Sequence, residues 1–371
     1  MRSRRQKYSE PFFALLRAGL WERSVRLPAS GNVDFSAMLK LAEEQSVVGL
    51  VAAGLERLEG VDIPKSQSLL FLRRVLSLEG RNQEMNKYIA SLSGRLAEAG
   101  VRAVLVKGQG IARCYERPLW RAAGDIDLLL DRENYAKAKE LLAPLASALE
   151  KESKVKRHLG MNIDGWILEL HGAMYTDLSG RIDRGIDEVM SDVFGNGGTR
   201  IWDDGGVEVI LPSPDNDAVL VFTHFVQHFF VGGVGLRQIC DWCRLLWVYR
   251  ESIDRELLAG RLRSMGLTRV WEAFAAFAVE YLGMPVESMP LYRSSRTSRR
   301  RSARICRVVL DAGNFGHNKD NSYRSKYPRL VGNIITFFRR LGEYFRLLTI
   351  FPLDAPRFFV TYVFRRLRAA M

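Results

Sequence analysis

The residues best suited to chemistry lie between positions 104 and 130. An apolar run at residues 104–106 is typical of a buried strand, and Lys107 follows it, at the start of a turn that continues as Gly108-Gln109-Gly110. Two glycines allow the backbone of a turn to approach a bulky anion closely, and Lys107 adds a positive charge. The pattern predicts that this turn contacts a phosphate group, with a helix over residues 111–115 starting beside it.

Two aspartates one residue apart lie on a second predicted strand, residues 124–130. Side chains alternate along a strand, so Asp125 and Asp127 share one face, whereas Ile126 and Leu128 share the other. Neighbouring carboxylates repel each other, and a divalent cation is a common reason for such a pair. The sequence therefore predicts metal-assisted chemistry on a phosphorylated substrate.

A third acid follows in a predicted hairpin at residues 157–174. Asp164-Gly165, placed between two strand-like runs, is a strong hairpin signal. By alternation, Glu169 and His171 share a face of the second strand. If this strand lies beside the aspartate strand, Glu169 completes a cluster of three carboxylates.

Together these residues resemble the nucleotidyltransferase superfamily related to polymerase beta, and within it a bacterial branch of uncharacterised nucleotidyltransferases. The matching features are Lys107-Gly108, the run Arg121-Ala122-Ala123-Gly124-Asp125-Ile126-Asp127, and Glu169 at the position of the third acid. The resemblance is strong over residues 104–171 and fair over 219–250. The wider superfamily has Gly-Ser where this chain has Lys-Gly, so the resemblance defines the metal site better than the triphosphate contacts.

The resemblance implies transfer of a nucleoside monophosphate from an NTP to a hydroxyl group, with Mg²⁺, or Mn²⁺ in its place, as cofactor. Mg²⁺ prefers oxygen ligands, and two such ions can stabilise an in-line displacement. Asp125, Asp127 and Glu169 are the expected metal ligands and catalytic residues. The expected nucleotide-binding residues are Lys107, Gly108, Gln109, Arg121, His171, His228, Arg237 and Asp241.

Some histidines and cysteines in these segments allow other interpretations. His171 and His158 either contact the nucleotide or are simply hydrogen-bonded in place. His224 and His228 have the spacing of a zinc site, but the glutamate that a metalloprotease needs after the first histidine is absent. Cys240 and Cys243 form a single pair on a predicted helix, for which core packing is the preferred interpretation.

Composition predicts a folded protein in a reducing compartment, and the predicted strands and helices, with the resemblance, imply the α+β class. The chain has 371 residues, of which 47% are hydrophobic, and contains 4 cysteines. The basic N-terminus lacks the features of a signal peptide, and no apolar stretch is long enough to span a bilayer. The expected location is the cytoplasm. Peripheral attachment to the inner membrane is compatible with this location.

The predicted organisation has four segments. These are an N-terminal helical segment (1–100), a small mixed-sheet nucleotidyltransferase core (101–212), a helical domain (213–290) and a basic amphipathic region (291–371). The last segment has 18 Lys and Arg residues against 4 Asp and Glu residues, whereas the whole chain has a net charge of +13. The run at 293–307 is expected to be flexible or solvated, and the last forty residues resemble a helix on an anionic membrane surface.

The sequence is compatible with several acceptors and several other partners. A sugar, a lipid-linked molecule, a peptide or a protein could offer the hydroxyl group. An anionic membrane surface or a partner protein is favoured over nucleic acid as the ligand of residues 291–371. The alternative function is a non-catalytic nucleotide-binding or scaffold protein at a membrane-associated biosynthetic assembly.

Overall fold

The computed structural model describes residues 4–27, 33–153, 155–195, 197–314, 326 and 329–361. Its architecture is mixed, with small sheets among a majority of helices, which confirms the α+β class. The helices are α1 (Arg4–Trp21), α2 (Phe35–Glu44), α3 (Val48–Leu55), α4 (Lys65–Glu98), α5 (Gly108–Ala112), α6 (Arg132–Leu142), α7 (Gly180–Gly195), α8 (Pro214–Val231), α9 (Leu236–Val248), α10 (Arg255–Met265), α11 (Thr268–Glu280), α12 (Arg296–Ala312) and α13 (Arg329–Ile350). The strands are β1 (Val25–Arg26), β2 (Leu58–Glu59), β3 (Val104–Val106), β4 (Ile126–Leu129), β5 (Ala148–Leu149), β6 (His158–Ile163), β7 (Trp166–His171), β8 (Thr199–Asp204) and β9 (Val207–Pro212).

The central sheet has five strands in the order β3-β4-β7-β6-β5. β4 pairs antiparallel with β3 and parallel with β7, and β6 and β7 form the predicted hairpin. Its turn residues, Asp164 and Gly165, both have positive φ, at 52° and 80°. Two successive residues of this kind are what a two-residue hairpin turn requires, so the Asp-Gly signal is confirmed.

The two faces of the sheet differ in chemistry. Ile126, Leu128, Leu168 and Leu170 lie in a hydrophobic cluster that also contains buried residues of α4 and α6. The opposite face carries Asp127, and its neighbours include α8 and α9. Strand alternation thus separates a sealed apolar face from a face that bears the charged residues.

Two predicted elements around the sheet were wrong in extent or position. The pattern of residues 135–149 predicts one helix, but the helix ends at Leu142, because Pro144 cannot continue it, and residues 148 and 149 form β5. Residues 201–212 predict a strand pair around Gly205-Gly206 at the edge of the central sheet. The hairpin β8–β9 has this turn but forms a sheet of its own. It contacts α4 and β3, and its Trp202 and Leu211 are buried there.

The N-terminal helices agree with the prediction, with one addition. Asp34 caps α2 by accepting a hydrogen bond from the backbone N–H of Ala37, and Gly100, with φ of 66°, follows the end of α4. Between the helices, β1 and β2 form a parallel pair of two residues each. Strands this short leave no readable alternation in the sequence.

The segment after residue 291 is more ordered than its composition indicated. Residues 296–312 form α12, and Ser295 and Ser298 form a capping box at its start. Ile305, Cys306 and Val309 are buried, whereas most arginines of the run are exposed, so the run is helical and solvated on one face only. The parts of the predicted membrane-binding region at 315–325, 327–328 and 362–371 lie outside the described residues. Across the described residues, no helix is long and apolar enough to cross a membrane.

Candidate functional site

Strands β4 and β7 bring three acidic side chains together. The parallel register pairs Asp127 with Glu169, and Asp125 comes directly before β4. One carboxylate oxygen of each residue lies within 4.8 Å of the others. The acids therefore converge as strand alternation predicted. Hard oxygen donors at this separation fit a divalent cation such as Mg²⁺.

Lys107 lies against this acidic cluster in a strained conformation. Its Nζ is 2.7 Å from Oδ1 of Asp127. Its φ of 59° and ψ of −141° are rare for a residue with a side chain and cost free energy. α5 begins directly after it at Gly108, three residues earlier than expected, and is only five residues long. The turn thus directs the lysine amine towards the acids.

Two histidines hold Glu169 and Asp127 from one side. The His171 Nε2 atom is 2.8 Å from Asp127 Oδ1 and 3.2 Å from Glu169 Oε2. The His158 Nε2 atom is 3.2 Å from the same Glu169 oxygen. The structure thus shows both histidines in contact with the acids, and their contact with a nucleotide stays a prediction. Both are cross-strand partners on β6 and β7, so the hairpin itself sets their positions.

The protonation of the acids follows from these contacts. Hydrogen bonds from His158 and His171 hold the pKa of Glu169 well below its ordinary value. Burial alone would raise the pKa of Asp127, but Lys107 and His171 outweigh it and lower the pKa. Repulsion by Asp127, followed by burial, raises the pKa of Asp125. The pKa of Asp125 is therefore raised by carboxylate–carboxylate repulsion, and a bound cation would relieve this repulsion.

A cavity of about 310 Å³ opens over the acids. This volume is near the lower end of the range for small-molecule sites. The sheet and its turn form one wall, and α8 and α9 form the other. The cavity is lined by Lys107, Gly108, Ile111, Arg121, Asp125, Asp127, Glu169, Val221, His224, His228, Arg237, Gln238 and Asp241.

Helix α8 contributes two histidines to the far wall. The His224 Nε2 atom is 3.4 Å from Lys107 Nζ and 3.2 Å from His228 Nε2. Burial, followed by the charge of Lys107, lowers the pKa of His224 well below its ordinary value and the pKa of His228 to about 4. Both imidazoles are therefore neutral near pH 7. The described groups of three metal-donor side chains include neither of them, nor Cys240 and Cys243, which are buried in the core.

Asp241 on helix α9 forms a buried ion pair with Arg121, which precedes β4. The Arg121 guanidinium donates two hydrogen bonds to the Asp241 carboxylate, at 2.8 and 2.7 Å, and the Tyr115 hydroxyl donates a third at 2.7 Å. Burial alone would lower the pKa of Arg121, but the charge and hydrogen bonds of Asp241 outweigh burial and raise this pKa. Arg121 and Asp241 thus cancel each other's charge and join α9 to the segment before β4.

Arg237 is the second arginine at the cavity. Its Nη1 donates to the backbone carbonyl of Ala122 at 2.7 Å. Burial, followed by the neighbouring Arg121, lowers its pKa, yet a guanidinium stays charged at physiological pH. Arg237 therefore places a positive charge on the wall opposite Glu169 and Asp125.

The expected nucleotide-binding residues fall into two groups. Lys107, Gly108, Arg121, His228, Arg237 and Asp241 line the cavity, whereas Gln109 and His171 do not. The Gln109 side chain instead donates to Asn86 Oδ1 on α4 at 2.7 Å, and His171 lies beneath the acids. Five residues of this site were not predicted from the sequence: Tyr115, which donates to Asp241, and four that line the cavity, Ile111, Val221, His224 and Gln238. The four-residue spacing from His228 could have indicated His224, but Tyr115 meets Asp241 only through the fold.

The paired aspartates, the third acid on a parallel neighbour and the lysine-glycine turn have the arrangement expected of an enzyme of nucleotidyl transfer. The family model described as uncharacterised nucleotidyltransferase matches residues 31–283. The chain therefore belongs to this family, and it is a transferase whose general reaction is nucleotidyl transfer. No curated protein and no solved structure matches the chain.

Proposed function

We propose that the protein transfers a nucleoside monophosphate from an NTP to a hydroxyl group of a sugar, lipid-linked, peptide or protein acceptor, with Mg²⁺ or Mn²⁺ as cofactor. The observation that carries the proposal is the parallel pairing of Asp127 with Glu169, which brings three acids to the wall of a polar cavity. Asp125, Asp127 and Glu169 would hold the metal. When bound, Mg²⁺ supplies charge neutralisation and Lewis-acid polarisation of the phosphate oxygens.

The cavity wall suits a nucleoside triphosphate in charge and polarity. Lys107 and Arg237 provide two positive charges for the phosphate oxygens. Gly108 presents backbone without a side chain beside them. Ile111 and Val221 provide an apolar surface suited to a nucleobase. Arg121 and Asp241 position this wall by holding α9 in place and do not add net charge.

The reaction requires the acceptor oxygen to attack the α-phosphorus while the bond from that phosphorus to the pyrophosphate oxygen breaks. The hydroxyl proton leaves to the Glu169 carboxylate or to water, and pyrophosphate departs with the electron pair of the broken bond. His158 and His171 keep Glu169 ionised and oriented for either role, as a proton acceptor or as a metal ligand.

The test is calorimetric titration of each NTP into the protein with Mg²⁺. The wild type is compared with Asp125→Asn/Asp127→Asn and with Asp164→Asn. Asp164 is exposed in the hairpin turn, where asparagine also tolerates a positive φ, so it serves as the matched control. We expect metal-dependent binding in the wild type and in the control, and its loss in the double variant. Absence of NTP binding to folded wild type would contradict the proposal and favour a non-catalytic scaffold.

A further inference from the structure

A basic and aromatic surface lies outside the residues that the family model matches. α12 is amphipathic: Ile305 and Val309 are buried, whereas Arg300, Arg304 and Arg307 are exposed. Residues 300, 304 and 307 are separated by four and three positions and so lie on one helix face. The arginines therefore form a stripe on the side of α12 that faces away from the core.

Helix α13 exposes two large aromatic residues. The exposed fractions of Phe338 and Phe345 are 64% and 57%, while Leu347 and Ile350 on the other side are buried. The phenylalanines are seven residues apart, which places them on one face, about two turns from each other. Beyond α13, Leu353 and Val360 are also more than half exposed, at 64% and 51%. Neighbouring exposed apolar residues, such as Phe338 and Phe345 on one helix face, are typical of an interaction surface.

Contacts between the two helices place the arginine stripe beside the aromatic face. Arg304 donates a hydrogen bond to the backbone carbonyl of Thr349, and Arg346 lies 3.8 Å from Asp311. Arg304 and Asp311, seven residues apart, are on the same side of α12 as Arg300 and Arg307. The basic-aromatic face (Arg300, Arg304, Arg307, Phe338 and Phe345) is therefore formed by two helices that contact each other.

The positive charge of residues 291–371 indicates an anionic ligand. Residues 291–371 contain 18 Lys and Arg residues against 4 Asp and Glu residues, and the rest of the chain is close to neutral. Of the described acids in residues 291–371, Asp311 is close to Arg346, Asp354 is buried and Glu343 is half-buried. The exposed residues after α13 include Leu353 and Val360, whose aliphatic side chains enter lipid but cannot stack on a base. The chemistry matches an anionic lipid surface better than a nucleic acid.

We propose that the basic-aromatic face binds the protein to anionic membranes, with the arginines on lipid headgroups and the phenylalanines at the acyl boundary. The proposal does not depend on the nucleotide site. Each basic residue near an anionic surface increases the affinity roughly fivefold, and salt screens this attraction. Binding should thus require anionic lipid and weaken as the salt concentration rises.

The test is co-sedimentation of the full-length protein with two kinds of vesicle. One kind contains phosphatidylcholine alone, and the other contains phosphatidylcholine mixed with phosphatidylglycerol. Two variants alter the face: Phe338→Ser/Phe345→Ser, and Arg300→Gln/Arg307→Gln, which spares the Arg304 contact with α13. Two controls remove exposed apolar and exposed basic residues elsewhere: Leu145→Ser/Val286→Ser, and Arg73→Gln/Arg132→Gln.

We expect binding to the anionic vesicles only, with both controls at the wild-type level. The arginine variant should lose roughly thirtyfold in affinity, from two basic residues at about fivefold each, and the phenylalanine variant should also bind more weakly. Equal binding to both kinds of vesicle, or wild-type binding by both face variants, would overturn the proposal. Absence of binding to the anionic vesicles would also overturn it. In that case, oligonucleotide binding that the arginine variant loses would indicate a nucleic acid as the ligand, and a dimer that the phenylalanine variant dissociates would indicate a second copy of the chain.

Discussion

Lys107 combines two roles that are separable by mutation. Its amine neutralises Asp127, and its backbone has a φ that a side chain makes unfavourable. Lys107→Met should destabilise the metal-free protein by roughly 3 kcal/mol, because a buried carboxylate loses a partner. Lys107→Gly should be more stable than Lys107→Met by about 1 kcal/mol, since glycine relieves the strained conformation. Urea unfolding in the presence of EDTA measures both differences.

The same variants test the metal site. Without the amine, Asp127 is free to bind a cation, so Mg²⁺ should raise the melting temperature of Lys107→Met more than that of wild type. Lys151→Met removes an exposed lysine and serves as the control, with no change expected. An equal response to Mg²⁺ in all three proteins would contradict the assignment of Asp127 as a metal ligand.

The cysteines offer a second prediction at the residue scale. Burial raises the pKa of Cys114 and of Cys306 to about 12, and it also raises the pKa of Cys240 and Cys243. The thiolate is the reactive form, so no thiol should react with Ellman's reagent in the native protein near pH 8. All 4 thiols should react after denaturation. Rapid native modification of Cys306 would show that α12 separates from the core.

At the scale of elements, the hairpin β6–β7 positions Glu169 together with His158 and His171. Its turn requires a positive φ at Gly165, although a side chain there would meet open space. Gly165→Ala should therefore cost about 1 kcal/mol through backbone strain alone. Gly80→Ala on α4, also in open space, should instead stabilise the protein by roughly 0.5–1 kcal/mol, because alanine favours a helix. Thermal unfolding of the two variants gives the comparison, and equal effects would exclude the proposed turn geometry.

At the scale of the whole molecule, the ion pair of Arg121 with Asp241 joins the sheet side of the cavity to α9. Both side chains are nearly buried, at 5% and 6% exposure. Asp241→Ala should cost roughly 3 kcal/mol or more, since it leaves a buried guanidinium without its carboxylate. Arg121→Met/Asp241→Leu should recover much of that loss, because neither charge is left unpaired.

An exposed ion pair provides the control for this prediction. Glu133→Gln removes the partner of Lys137, and both side chains are about half exposed or more, at 77% and 49%. Its effect on the free energy of unfolding should be below about 0.5 kcal/mol. If Asp241→Ala is as mild as Glu133→Gln, the buried pair does not hold α9 to the site.

The predicted division into four segments stays a prediction, but their packing is now described. The larger hydrophobic cluster includes Phe12, Val104, Phe222 and Ile305, one residue from each predicted segment. The cavity likewise needs the sheet and the two helices α8 and α9 together. We therefore expect the catalytic residues to depend on the helical half for their positions.

The sequence by itself determined the local features of this protein. The Asp-x-Asp strand, the Asp-Gly hairpin, α4 and the position of Glu169 all follow from short-range rules of alternation and turn conformation. Alternation placed Asp125 and Asp127 on one face of a strand, and the pairing of this strand with the strand of Glu169 was only a condition of the predicted cluster. The family resemblance added the reaction class.

Only the tertiary structure decided which charges meet and which cancel. Tyr115 and Asp241 are 126 positions apart in the chain, and Lys107 and His224 are 117 apart. No periodicity encodes such contacts, because they depend on how helices pack against the sheet. The burial of one face of α12 was equally hidden, since a run rich in arginine has the same composition whether it is solvated or docked through a few apolar residues.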